Sequence, residues 1–279
     1  MDALRICRRA FSGMLLASGL LFASDAARAQ DNFQTTVRNA ILIDVGTQSV
    51  LFEKAADELQ APASLAKLMT MVVIFEEMRQ GRLQPDQEIV ISQDAWRRGG
   101  APSRTSSMYA AVNSRVKVQD LLRGAIIQSG NDASIALAEA ISGTEANFVP
   151  VMNERSRALG LTRSVWRNAT GLPDPEQKTT AREIARLSDH IIRSFPEQYA
   201  IYAEREFIWG GIRQQNRNPL LGTYTGADGL KTGYIEEAGF NLAGSAVQNG
   251  QRLIVVVIGA RSLQERSNEA RKLLDWGFR

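Results

Sequence analysis

Cysteine is nearly missing from this chain of 279 residues: Cys7 is the only one. It lies in an N-terminal stretch that reads as removable, so the rest of the chain has no disulfide, no thiol nucleophile and no cysteine metal ligand. Histidine is equally scarce. His190 is the only one, which excludes a multi-histidine zinc site. It also makes a Ser-His-Asp triad depend on one residue inside a helix-patterned run, "AREIARLSDHIIRSF", where a surface or half-buried ring is the plainer reading. Long basic runs and basic-aromatic interleaving are absent, so nothing marks a nucleic-acid partner. No internal repeat or low-complexity tract is present. No cofactor and no metal are expected.

What is present begins with a leader. Arg5, Arg8 and Arg9 form a basic start, Met14 to Ala23 is an apolar run, and Ala27 to Ala29 supplies small residues. The run is too short for a comfortable membrane span, and the three parts together read as a secretory signal peptide over residues 1–29. Residues 30–279 would then form one catalytic domain in a periplasmic or cell-envelope setting. Four arginines and two aspartates lie in the leader, so the net charge of +3 falls to +1 without it. The remaining composition, 44% hydrophobic and 23% charged over the whole chain, is that of a globular protein large enough to need no staples.

Strand-like segments fall at both ends of the mature region. "NAILIDVGTQSVLFEKA" (39–55) has two β-rich runs around a turn containing Gly46. "NLAGSAVQNGQRLIVVVIGA" (241–260) is split by Asn249-Gly250, a strong two-residue hairpin signal. Helical patterns lie between them: Ser64 to Gln80, Val118 to Gln128, Asn131 to Ser142, and further runs over 145–160 and 180–195. A last amphipathic helix covers 263–278. Strands at both ends with helices between them predict one antiparallel sheet that joins the two ends, with helices packed on it. Arg97 to Ser114, rich in Gly, Ser, Arg and Pro, reads as a long loop at the rim of a site.

Three short motifs carry the chemistry. In "PASLAKLMT", Ser64 and Lys67 are three residues apart, on one face of a helix. A serine hydroxyl is a poor nucleophile until a base takes its proton. Lysine is such a base only when burial or a nearby cation holds it neutral. A helix start would also aim backbone N–H groups at a developing oxyanion. The bland alternative makes Ser64 a helix N-cap. Ser129-Gly130-Asn131 follows, between two helices. Ser129 would relay a proton, and Asn131 would position Lys67 and bind a substrate amide, unless it simply caps the next helix. Lys231-Thr232-Gly233 precedes a strand. There a fixed positive charge, a hydroxyl and a side-chain-free position suit a substrate carboxylate approaching an extended edge. An exposed turn is the alternative for such a triplet alone.

The three motifs in this order are those of class A β-lactamases and penicillin-binding proteins. The sequence resembles the low-molecular-mass penicillin-binding proteins, serine-type D-alanyl-D-alanine carboxypeptidases of the bacterial cell wall. The likeness runs through "ILIDVGTQSVLFEKAAD", "PASLAKLMT", "LLRGAIIQSGNDASIALAE", "FVPVMNERSRALGL", "GIRQQNRNPLL", "DGLKTGYIEEAGFNLAGSA" and "KLLDWGFR". It implies an α/β (α+β) fold of the β-lactamase/transpeptidase-like type: a five-stranded antiparallel sheet flanked by helices, plus a mostly helical subdomain.

It further implies that Ser64 is the acylated nucleophile and Lys67 the acylation base. Ser129 and Asn131 would form the second element, and Lys231, Thr232 and Gly233 the third. Backbone N–H groups of Ser64 and Tyr234 would form the oxyanion hole, and Arg217 and Arg266 would stand on the substrate side. The implied partners are a peptidoglycan stem peptide and, as covalent inhibitors, β-lactams. The competing activities are D,D-endopeptidase, β-lactamase and non-catalytic wall or β-lactam binding.

Two departures bear on these expectations. Family members often continue into a β-rich domain and an amphipathic anchor helix beyond the point matching "DWGFR", which leaves membrane association open. The middle triplet is Ser-Gly-Asn rather than Ser-Asp-Asn. The stretch Trp166 to Glu176 offers only Glu176, approached through Pro173 and Pro175, as a deacylating carboxylate. Both points disfavour efficient β-lactam hydrolysis.

Overall fold

Strands from the two ends of the chain meet in one sheet. A computed structural model describes residues 33–279; the expected leader, residues 1–29, lies outside the described residues. Strands β1 (Asn39–Asp44) and β2 (Ser49–Lys54) form the first hairpin. Strands β7 (Ala227–Ile235), β8 (Gly239–Gln248) and β9 (Gln251–Ala260) form a C-terminal meander. The strand order is β2-β1-β9-β8-β7, and every pairing is antiparallel. This is the expected five-stranded sheet. Asn249 and Gly250 both have positive φ, 50° and 80°, and Gln248 pairs with Gln251, as a two-residue hairpin turn requires.

Leu253 to Ile258 of β9 are all buried, because α6 (Ala181–Ser194) and α8 (Leu263–Gly277) both pack on this strand. A strand covered on both faces reads as an unbroken apolar run, as "LIVVVI" does. Each of these helices starts with a capping residue. Thr180 Oγ1 accepts from Glu183 N (3.1 Å), and Ser262 Oγ accepts from Glu265 N (3.0 Å).

The helical subdomain is built around α1 (Ala66–Arg79). Ala66 to Phe75 are buried without a break, so this helix has no wet face over those positions. It packs against α3 (Val118–Ile126), α4 (Asn131–Ser142) and α5 (Glu145–Ala158), and against α6 from the sheet side.

The structure departs from the sequence reading in four places. The helix expected from Ser64 begins instead as a 3-10 turn, Ala63–Leu65, with α1 following from Ala66. The presumed loop over 97–114 contains the end of α2 (Gln93–Gly99) and a 3-10 turn at Ala101–Ser103. Lys231-Thr232-Gly233 lies inside β7 rather than before a strand. Two small hairpins were not foreseen: β3 (Glu88–Val90) with β4 (Arg115–Lys117), and β5 (Glu206–Trp209) with β6 (Ile212–Gln215). A four-residue helix, α7 (Pro196–Tyr199), completes the set. Among the described residues no helix is long and apolar enough to cross a membrane.

Candidate active site

The sheet edge and the helical subdomain meet at Ser64. Its 3-10 turn follows Pro62, and neither that turn nor α1 has a side-chain cap. The N-cap alternative for Ser64 therefore fails. Its hydroxyl faces Lys67 instead, with Nζ 3.2 Å from Ser64 Oγ.

Lys67 is 1% exposed. Its Nζ donates to Asn131 Oδ1 at 2.7 Å and to the Thr170 carbonyl at 2.5 Å. Among the described residues no carboxylate makes a hydrogen bond or ion pair with it. Burial, with Arg217 adding a like charge, lowers its pKa from the ordinary range to about 7; the more distant Asp132 and Glu145 oppose that shift. An amine near neutrality beside a serine hydroxyl is what proton removal at Ser64 requires.

Asn131 is the first residue of α4 and makes no capping bond, so the capping alternative fails for it too. Its Nδ2 donates to Thr105 Oγ1 at 2.9 Å, linking α4 to the loop before β4. The next residue, Asp132, fastens that loop from within. Its fully buried carboxylate accepts from Ser107 Oγ (2.8 Å), Met108 N (2.9 Å) and Ala110 N (3.1 Å). Sequence reasoning passed over Asp132, although an acid directly after the Ser-Gly-Asn triplet was a visible signal. Thr170 was passed over because it acts through a backbone carbonyl, which leaves no mark on side-chain chemistry.

Ser129 has φ = 65°, a left-handed conformation that costs a non-glycine residue energy and tends to persist at functional sites. Its Oγ is buried and has no hydrogen-bond partner among the described residues. On the facing side, β7 is the edge strand of the sheet. At Gly233 a Cβ would lie 3.1 Å from both Ser64 N and Ala63 Cβ. The missing side chain thus makes room for the backbone of Ser64. It also brings the N–H of Ser64 beside the start of Tyr234. The Tyr234 ring is exposed and stacks on Phe240, with centroids 4.3 Å apart.

Lys231 is buried, and among the described residues its Nζ donates only to the Thr232 carbonyl, at 3.3 Å. Burial, then Lys67, Arg217 and Arg266, push its pKa well below that of a free lysine. An arriving anion would favour its protonated form. Arg266, on the first turn of α8, is 5% exposed, and its Nε has no partner. Burial lowers its pKa to about 10. Arg217 is exposed and donates to Ser106 Oγ at 2.6 Å.

A cleft of about 600 Å3 opens at Ser64, and its walls include Ser64, Ser129, Arg217, Thr232, Gly233 and Arg266. Lys67 lies beneath it, behind Ser64. Of the expected site residues, Ser64, Ser129, Arg217, Thr232, Gly233, Tyr234 and Arg266 line it, whereas Lys67, Asn131 and Lys231 are buried and not on its walls. Glu176 is not on its walls either: it is exposed and paired with Arg167 at 3.1 Å. His190 also stays out. Its ring, on α6, packs edge-on against Phe195 just beyond that helix.

The class of protein follows from this site and fold. Residues 25–262 match the family described as D-alanyl-D-alanine carboxypeptidase, and the chain belongs to that family. Over 264 residues it is 42% identical to D-alanyl-D-alanine carboxypeptidase DacC of Escherichia coli K12, covering 93% of this chain and 66% of that protein. Over 247 residues it is 42% identical to DacA of Haemophilus influenzae, covering 88% of this chain and 62% of that one. The chain thus spans about two thirds of the length of these relatives. Among solved structures it is similar to penicillin binding protein 5 from Haemophilus influenzae, with a TM-score of 0.85, 41% identity, and 88% and 72% of the two chains covered. It is also similar to Penicillin-Binding Protein D2 from Listeria monocytogenes in its ampicillin-bound form, with a TM-score of 0.80, 28% identity, and 90% and 100% covered.

Proposed function

We propose that this chain is a serine D,D-carboxypeptidase that removes the terminal D-alanine from peptidoglycan pentapeptide stems. The observation that carries the reading is the Lys67 amine, buried without a carboxylate partner, 3.2 Å from Ser64 Oγ. Ser64 Oγ attacks the carbonyl of the penultimate D-alanine while Lys67 takes its proton. Backbone N–H groups of Ser64 and Tyr234 hold the oxyanion. The terminal carboxylate lies at the Lys231, Thr232 and Arg266 end of the cleft, with Arg217 at its rim. As the C–N bond breaks, the proton held by Lys67 passes through Ser129 to the leaving amine. Water then attacks the acyl ester while Lys67 takes its proton; as the bond to Ser64 Oγ breaks, Lys67 returns that proton to the serine oxygen and the shortened peptide leaves.

A β-lactam acylates the same serine. The position of Glu176, outside the cleft, supports slow release of that adduct rather than turnover. The basic, apolar and small-residue pattern of residues 1–29 supports secretion across the inner membrane to the cell envelope.

The experiment is D-alanine release from a pentapeptide, compared with Ser64→Ala, alongside intact-mass detection of one penicilloyl adduct. Release at the level of Ser64→Ala would overturn the reading. Stable penicillin labelling without peptide turnover would favour a binding or sensing domain, and cross-linked muropeptide turned over in preference to pentapeptide would favour an endopeptidase.

A further inference from the structure

The Thr170 carbonyl that holds Lys67 lies in a stretch, residues 166–174, that is neither helix nor strand. Part of that stretch is shaped from within. Gln177 Oε1 accepts from Arg167 N (3.0 Å) and Asn168 N (3.2 Å), and Asn168 Oδ1 accepts from Gly171 N (2.7 Å). Two further bonds tie it to the helical subdomain, and both fall on Ala169, the residue before Thr170. Thr70, one turn beyond Lys67 on α1, donates its hydroxyl to the Ala169 carbonyl at 2.8 Å. Glu145, the first residue of α5, accepts from Ala169 N through Oε1, also at 2.8 Å.

Glu145 is unusual for its position. An acid in the first turn of a helix ordinarily complements the dipole from the surface, and the N-cap there is already supplied by Thr144. Glu145 is instead 6% exposed and turned inward. Its second oxygen pairs with Arg98 at 2.5 Å. Beside it is a hollow of about 440 Å3, lined by Arg98, Glu145, Asn168, Leu172 and Asp174 among others. With open space on that side, the stretch is held there by its hydrogen bonds rather than by packing.

We propose that Glu145 is a positioning residue for acylation: by fixing Ala169 N it sets the Thr170 carbonyl, and through it the Lys67 amine, against Ser64. This inference rests on Lys67 being the base, as read above.

The carboxylate also acts on Lys67 through its charge. Burial and then Arg217 lower the pKa of Lys67, while Asp132 and Glu145 oppose them. Lys231 is the other cation that interacts with Lys67. Around Glu145 itself stand Arg98, Asp94 and Glu139, and Arg167 lines the same hollow. Removing the Glu145 charge therefore favours neutral Lys67 and moves its titration to lower pH. Removing the acceptor frees the carbonyl. The two effects separate in Glu145→Gln, which keeps an acceptor and loses the charge.

The experiment is stopped-flow acylation by a fluorescent penicillin between pH 5.5 and 9, with wild type, Glu145→Gln, Glu145→Leu and Glu139→Gln. The rate constant is taken from the fraction that labels, so unfolded protein does not enter. Glu145→Gln should keep the alkaline plateau of the wild type and reach it at lower pH. Glu145→Leu should lose about 10–100-fold in the plateau, as a misplaced base does. Glu139→Gln removes a neighbouring carboxylate that is bound to Ser92 rather than to Ala169, and its profile should match the wild type. A wild-type plateau in Glu145→Leu, a plateau in Glu145→Gln as low as that of Glu145→Leu, or an unmoved midpoint in Glu145→Gln overturns the inference. Should Glu145→Leu give no folded fraction, Thr70→Val removes the other bond to Ala169, and an unchanged plateau there overturns it equally. A flat wild-type profile overturns instead the reading of Lys67 as the base.

Discussion

Lys67 Nζ and Asn131 Oδ1 are 2.7 Å apart although the residues are 64 positions apart in sequence. The bond joins the first turn of α1 to the first turn of α4. Because Asn131 also donates to Thr105, its amide is oriented with oxygen toward Lys67. A carbonyl-type acceptor holds the amine in place without supplying the negative charge that would keep it protonated. An aspartate there would be expected to raise the pKa of Lys67, so the neutral amide suits a lysine that must act as a base.

The first prediction is a pH profile. Lys67 is held at about 7 chiefly by burial. The neutral fraction grows as pH rises, so acylation of Ser64 should accelerate through about pH 7 and level off above it. Stopped-flow acylation by a fluorescent penicillin between pH 5.5 and 9 measures this. Lys67→Arg keeps the charge but cannot accept a proton at these pH values, and its acylation rate should fall by about 10²–10⁴. A profile that is flat, or unchanged in Lys67→Arg, would rule Lys67 out as the base.

A second prediction contrasts two glycines with similar backbone conformations. Gly171 (φ = 83°) lies where a Cβ would come within 1.9 Å of the Ala63 carbonyl, next to Ser64. Gly143 (φ = 75°) has nothing within 4 Å of its would-be Cβ. Gly143→Ala should cost only the conformational penalty, about 1 kcal/mol by urea unfolding, with acylation intact. Gly171→Ala adds a backbone overlap that must displace either the Ala63-Ser64 turn or the Thr170 carbonyl that holds Lys67. It should lose several-fold more stability than Gly143→Ala and most of its acylation rate. Equal effects of the two substitutions would show that the Ala63 contact does not matter.

The Gly171 contact also marks the limit of what the sequence revealed. The split hairpins, the Asn249-Gly250 turn and the main helices were legible because periodicity and turn chemistry are local properties. The three motifs were legible because their side chains carry chemistry. The acceptor at Thr170 was not, since any residue supplies a carbonyl. Nor was the close approach of Gly233 to Ser64, which depends on two backbones brought together across more than 160 positions. The β3–β4 and β5–β6 hairpins have strands of only three or four residues, too short for alternation to register. The lowering of the Lys231 pKa comes from burial and then from Lys67, Arg217 and Arg266 gathering around it, and only the fold brings these about.

The third prediction concerns Arg266. It is buried, its Nε has no partner, and among the described residues no carboxylate pairs with it. An uncompensated buried cation opposes folding, so Arg266→Gln should leave stability unchanged or raise it by about 1 kcal/mol in urea unfolding. If the guanidinium instead serves the carboxylate of the leaving residue, the cost should appear only with substrates that have one. For a peptide ending in free D-alanine, kcat/KM should drop by about 10–100-fold, the range for losing a hydrogen bond between charged groups. For the same peptide ending in D-alanine amide, the wild type should already be slow, and Arg266→Gln should change it little. The acid-to-amide ratio is thus the decisive readout. A variant that loses stability and is equally impaired on acid and amide would make Arg266 a structural residue of α8 and remove it from the substrate side of the cleft.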